Sequence, residues 1–222
     1  MSRVPPLPHA EHITGLILCG GLGRRMGGID KGLHPWQGRP LVEHVLQRLA
    51  PQVGRIVINA NRNLDQYGAL GHPVHADAAA PGGAIPYAGP MAGLLAGLNA
   101  CRTDWLVSAP CDAPLLPTDL VQRLVAALGT SKADAPPRLA VAVSRHGDGA
   151  LQPQPVFCLL HTSLRASLAD WVGSGQSKVM MWLRQEGCAQ AVFEQGDAFF
   201  NANTPDDLHG RTVIDPARRP AP

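Results

Sequence analysis

Apolar positions along the chain fall into short runs that alternate with stretches of helical period. Residues 13–19 (ITGLILC) form a continuous apolar run closed by Gly20-Gly21, which predicts a strand buried on both faces. Residues 40–49 carry Leu41, Val42, Val45, Leu46 and Leu49 at helix spacing. Residues 55–59 (RIVIN) predict a second strand and 73–76 a weaker third. Residues 90–100 predict an apolar helix opened by proline in its first turn. Residues 105–109 predict a fourth strand that ends at Pro110. A helix is expected over 117–128 with Thr118 as its N-cap. Strands at 139–144 and 156–160 follow, then helices at 163–172 and 178–186, the last stopped by Gly187. Met180, Met181 and Trp182 are expected in the core.

Strands alternating with helices imply parallel pairing through right-handed crossovers. The expected fold is therefore a three-layer α/β/α architecture with an open, mostly parallel sheet. Ligands of such sheets bind at the carboxyl ends of the strands. That directs attention to the loops after Cys19, Asn59, Ala76 and Ala109. With 222 residues, one domain is expected, over 13–214. Residues 1–12 read as a loose leader, and 215–222, rich in proline and arginine, as a disordered tail.

Composition narrows the function. Hydrophobic residues make up 45% and charged residues 16%, which excludes a disordered chain. Nineteen Lys+Arg against seventeen Asp+Glu leave a formal +2, so no basic field calls for nucleic acid or a membrane surface. The five cysteines, Cys19, Cys101, Cys111, Cys158 and Cys188, are odd in number and form no CxxC, which argues against a disulfide framework or a zinc site. The apolar run near the N-terminus is too short for a signal peptide, and a reduced, cytoplasmic protein is expected. The HxxH pairs His9/His12 and His72/His75 lack a third ligand nearby and are expected to be solvated or in turns.

The loop after the first strand, LCGGLGRRMGGIDKGL from Leu18, carries the strongest chemical signal. Its glycines let backbone N–H groups approach a phosphate, and Arg24, Arg25 and Lys31 add cations, a set suited to a triphosphate. Lys31 is followed by Gly32, which excludes a Walker P-loop, and Met26 stands where a dinucleotide fingerprint needs its third glycine. Asn59, in NANR, is either a reader of a purine edge or ribose or an amide that satisfies a turn. Asp77 is either a partner for guanine N1–H and N2–H₂ or a solvated loop carboxylate. Asp112, between prolines in PCDAP, is an oxygen ligand of the kind Mg²⁺ takes. Cys111 beside it has no histidine partner in sequence and is expected to pack rather than react. In NANTP, Asn203 or Thr204 is placed to cap a helix before Pro205. The Gly89–Gly93 segment either offers helix N–H groups to an anion or allows close packing.

The string L-x-G-G-x-x-x-R-M-G-x-x-K resembles the signature of nucleotidyltransferases with a Rossmann-like, glycosyltransferase-A-type fold. Together with GRPLVEHV, NANR, GPMAGL, PCDAP and NANTPDDL, running from Leu16 to about Leu208, the chain resembles the molybdenum cofactor guanylyltransferases. Cys19 departs from that family's usual alanine. The resemblance implies transfer of GMP from GTP to the terminal phosphate of molybdenum-molybdopterin, with release of pyrophosphate. It implies Mg²⁺ as cofactor, Arg25, Lys31 and Asp112 as catalytic residues, and Asp112 and Asn203 as metal ligands. Nucleotide binding falls to Leu18, Cys19, Gly20, Gly21, Lys31, Asn59, Asp77 and Asp112. The pterin is expected toward the carboxyl half, near Gln154-Pro155, Lys178 and Asn201. A monomer is expected, with molybdoenzyme chaperones or other cofactor-biosynthesis proteins as candidate partners. A cytidylyltransferase for the same pterin, a sugar-phosphate nucleotidyltransferase and a nucleotide-binding scaffold module are the competing possibilities.

Overall fold

Strand β1, Ile13–Leu18, is an interior strand of a seven-stranded sheet and is buried along its whole length. In this computed structural model, residues 7–20, 30–77, 89–130, 137–194, 196–202 and 207 are described. Strands β2 (Pro35–Trp36) and β3 (Arg39–Pro40) form a small hairpin that leads into helix α1 (Leu41–Leu49). Then follow β4 (Arg55–Asn59), α2 (Leu64–Gly68), β5 (Val74–His75), α3 (Pro90–Ala100), β6 (Trp105–Pro110) and α4 (Leu120–Gly129). The carboxyl half adds β7 (Leu139–Arg145), β8 (Leu151–His161), α5 (Arg165–Gly173), α6 (Val179–Glu186) and β9 (Ala189–Phe193). The sheet order is β5-β4-β1-β6-β8-β7-β9, with β8 antiparallel to both its neighbours and every other pairing parallel.

Period-two alternation in the strands explains why helices cover both faces. Ile13 and Ile17 of β1 point into one core with Val42, Val45 and Leu49 of α1 and Leu120 and Leu124 of α4. Leu16 and Leu18 point into the other with Met91, Leu94 and Leu98 of α3 and Leu168, Trp182 and Leu183 beyond. Trp182 is fully buried as expected, whereas Met181 is 49% exposed and lies outside the core. Helix α3 meets β1 without spacing side chains: a Cβ on Gly97 would collide with Leu16.

Two further expectations change. Helix α4 begins at Leu120, not 117, and Thr118 is not its cap. Gln52 takes that part from 69 residues away: its side-chain oxygen accepts from Val121 N (2.9 Å) and its amide donates to the Pro117 carbonyl (2.9 Å). Strand β8 starts at Leu151, five residues earlier than the apolar run, and passes through Pro153 and Pro155. Prolines are tolerated there because β6 pairs with β8 only from Leu159 to His161. The earlier part of β8 has a strand neighbour on one side alone, β7, and a shift of register between Val141 and Ala142 absorbs the irregularity. Strand β9 was not foreseen at all.

The sheet therefore divides beyond Val107. Strand β6 continues beside β1, and the proline-bearing part of β8 continues beside β7, with Ser108 Oγ donating to the Val156 carbonyl (2.6 Å) across the gap. The carboxyl ends of β1, β4, β6, β7 and β9 all face the same way as this division.

Candidate functional site

The end of β1 is the hinge of the site. The Leu18 carbonyl accepts from Cys111 N (3.0 Å) on the β6 side, and Cys19 N donates to the Asn59 carbonyl (2.8 Å) on the β4 side. Backbone pairing thus carries β1, β4 and β6 side by side to the point where their loops begin.

On the β6 side, Lys31 Nζ lies 3.1 Å from Asp112 Oδ2, with the two side chains 22% and 15% exposed. The turn Lys31–Leu33 is fixed by Asp30, whose Oδ1 accepts from Gly32 N (3.2 Å) and from Tyr67 Oη (2.6 Å). Asp30 Oδ2 accepts from Asn63 Nδ2 (2.9 Å) and lies 3.4 Å from Arg62 Nε. Burial of a carboxylate is tolerable only with such partners. Tyr67 is fully buried; burial first, then the Cys19 and Cys111 thiols and Asp30, raise its phenol above the ordinary range, so it stays a neutral donor. Gly32 brings its backbone against Tyr67 and Cys111: a Cβ there would meet the Tyr67 hydroxyl and stand 3.1 Å from Cys111 Sγ. A hydrogen bond with Cys19, together with burial, pushes the Cys111 thiol well above its usual value, which fits a packing residue and not a nucleophile.

On the β4 side, Asn59, Asn61 and Asp77 form one group. Asn59 Nδ2 donates to the His75 carbonyl (3.1 Å) and to Asp77 Oδ1 (3.0 Å). Asn61 Nδ2 donates to Asp77 Oδ2 (2.7 Å), and Asn61 Oδ1 accepts from Asp77 N (2.8 Å). Gly20 lies over this group: a Cβ would stand 3.1 Å from Asn59 Oδ1 and 3.2 Å from Asn61 Nδ2. Gly93 of α3 closes the other side, where a Cβ would stand 2.5 Å from Asn59 Oδ1. Gly93 therefore allows close packing, whereas nothing lies within 4 Å of a Cβ on Gly89.

The Ala202 N–H donates to the Asp112 carbonyl (2.8 Å), which brings the 201–202 segment against Asp112. Ala202 also packs with Trp36, Leu41 and Phe200, joining that segment to the β2–β3 hairpin that follows Lys31. Of the residues singled out in sequence, Leu18, Cys19, Gly20, Lys31, Asn59, Asp77 and Asp112 meet around three adjacent strand ends. Gly21, Arg24, Arg25 and Asn203 lie outside the described residues. Asp30, Asn61 and Tyr67 were missed. The available signal for Asp30 was its place immediately before a glycine-flanked lysine, where a short carboxylate caps a turn.

A model of the MobA-like NTP transferase domain matches residues 15–191. The molybdenum cofactor guanylyltransferase of Cupriavidus necator is 48% identical over 199 residues, covering 89% of this chain and 95% of its own. The chain belongs to the molybdenum cofactor guanylyltransferases. The guanylyltransferase of Acidovorax ebreus is 49% identical over 202 residues, covering 89% of this chain and 93% of its own. Among solved structures, molybdopterin-guanine dinucleotide biosynthesis protein A from Archaeoglobus fulgidus superposes with a TM-score of 0.63 at 21% identity, covering 88% of this chain and 94% of its own, a likeness of fold. The chain is thus a nucleotidyltransferase on a mostly parallel α/β sheet. Among the described residues no helix is long and apolar enough to cross a membrane, and all five cysteines are free thiols.

Proposed function

We propose that this guanylyltransferase transfers GMP from GTP to the terminal phosphate of molybdenum-molybdopterin, forming the guanine dinucleotide cofactor and pyrophosphate. The observation that carries this reading is the ion pair of Lys31 with Asp112, set one strand away from the Asn59–Asn61–Asp77 group. A cation and a carboxylate at the end of β6 suit the phosphates; an acceptor-rich group at the end of β4 suits a guanine edge. The acceptor is a phosphate monoester, whose second pKa is about 6, so it arrives already ionised and needs no general base. Alignment and charge neutralisation are then the work of the protein.

Asp112 fits Mg²⁺ by donor chemistry: it is a hard-oxygen ligand with a phosphate-seeking lysine beside it. Among the described residues no three His, Cys, Asp or Glu gather, so the ion would draw most of its ligands from phosphate and water, as Mg²⁺ commonly does. Asn203 is kept as a second ligand by family resemblance. When bound, Mg²⁺ would polarise the phosphate oxygens. Lys31, with Arg25, would offset the charge gathering on the departing pyrophosphate while the Gly20–Gly21 backbone holds it. The pterin is assigned to the divided part of the sheet. There Gln154 Nε2 donates to Ser144 Oγ (3.1 Å) and Ser144 Oγ to the Gln152 carbonyl (3.3 Å), with Lys178 and Asn201 further candidates. We take the enzyme to be a cytoplasmic monomer that hands its product to molybdoenzyme chaperones or other cofactor-biosynthesis proteins.

The test is pyrophosphate release with GTP, CTP, ATP and UTP, each with and without molybdopterin and Mg²⁺. Release only with GTP, the pterin and Mg²⁺ together is expected. Equal release with CTP would move the enzyme to the cytidylyl class, and binding of GTP without any release would make it a scaffold.

A further inference from the structure

Asn59 is only 1% exposed, and its two amide hydrogens go to the His75 carbonyl and to Asp77 Oδ1. Its oxygen is walled in by Gly20 and Gly93. A residue so enclosed presents no edge to a base, and its influence on the nucleotide passes through Asp77. Asn61, to which sequence reasoning gave no role of its own, is less enclosed but is tied to Asp77 by two hydrogen bonds. Its amide donates to Asp77 Oδ2 at 2.7 Å and accepts from Asp77 N at 2.8 Å. This reciprocal pair fixes the amide orientation: a flipped Asn61 would set oxygen against carboxylate oxygen and NH₂ against N–H.

An ionised carboxylate offers about four lone-pair sites. The two asparagines occupy one on each oxygen of Asp77, and among the described residues no other donor takes the remaining one on each. Two acceptor sites on a single rigid carboxylate match the paired N1–H and N2–H donors of guanine. We propose that Asn61 is a specificity-determining positioning residue, which clamps the Asp77 carboxylate against Asn59 so that its remaining lone pairs meet the guanine edge. The proposal rests on Asp77 as the base reader. The clamp does no chemistry on phosphate. Its loss weakens nucleotide binding most where the exocyclic amine is read, while a general loosening of the fold weakens binding whatever the base.

Dissociation constants of GTP and of ITP, which lacks the 2-amino group, test this by calorimetry on the full chain with Mg²⁺. Wild type is expected to favour GTP. Asn61→Leu, close to isosteric but unable to bridge, should cut the GTP/ITP preference by about tenfold, and in an Asp77→Ala background it should change the preference no further. Asn61→Ser, too short to span both groups, gives the same readout should leucine prevent folding. If Asp77→Ala abolishes the preference while both Asn61 variants retain it, Asn61 does not position the carboxylate and the base reading stands. If Asp77→Ala itself retains the preference, the base reading fails and the clamp with it.

Discussion

Lys31 and Asp112 stand 81 residues apart in sequence and 3.1 Å apart in space, held by separate devices. Asp112 is fixed by the backbone of β6 and by the Ala202 N–H, and Lys31 by the Asp30-capped turn. The two backbones are placed independently of each other, so the fold brings the pair within reach. Lys31→Ala and Asp112→Ala should each lower turnover by on the order of 10² or more, with the folded state retained by circular dichroism. Near-normal turnover in either variant removes its assigned role.

Asp30 organises the lysine turn from the interior. Asp30→Ala leaves the Tyr67 hydroxyl and the Gly32 N–H without their acceptor, at a cost of about 1–3 kcal/mol for a buried unpaired donor. The urea midpoint should drop, and turnover should fall with it because Lys31 loses its support. Tyr67→Phe keeps the ring's packing and should cost less. A larger loss for Tyr67→Phe than for Asp30→Ala would contradict this ranking.

Gly93 is the sharpest steric constraint on the nucleotide side. A Cβ would approach Asn59 Oδ1 to 2.5 Å and Leu18 Cδ2 to 2.6 Å, so Gly93→Ala must push α3 away from β1 and β4. Both thermal stability and GTP affinity should decline. Gly68→Ala is the control, since nothing lies within 4 Å of a Cβ there, and it should leave GTP binding unaltered. Equal behaviour of the two variants would show that α3 can retreat freely.

Alkaline pH should unfold the protein through its buried thiols and phenol. Burial pushes the Cys158 thiol up to about 12 from an ordinary 9.0, and Tyr67 is raised as well. The folded state holds these protons more tightly than the unfolded chain does. The associated stability is therefore whole below about pH 9 and is lost progressively as pH climbs toward 12. Cys158→Ala should flatten part of that decline in a plot of melting temperature against pH. An unchanged slope would discount the contribution of Cys158.

The legible parts of the fold are those where local pattern and tertiary role agree. Strand Arg55–Asn59 and helix Pro90–Ala100 have the ends their residues predict, because a buried run and a proline first turn need no distant partner. Strand β8 was half hidden, since Pro153 and Pro155 forbid a two-sided ladder and only the division of the sheet makes a one-sided place for them. The start of α4 was misjudged because its capping group sits on Gln52. At the site, Lys31 and Asp112 announced themselves by charge near glycine or proline, and Asp77 by a carboxylate directly after a strand. Asn61 and Asp30 did not, for their importance lies in whom they hold.

The enclosure of Asn59 between two glycines also constrains how this scaffold can drift over evolutionary time. Enlarging position 59 would require α3 and the loop after β1 to give way together, whereas positions 61 and 77 lie at the partly open rim. A descendant that changed its nucleobase would therefore be expected to preserve the Gly20–Asn59–Gly93 sandwich and to carry its substitutions at the rim.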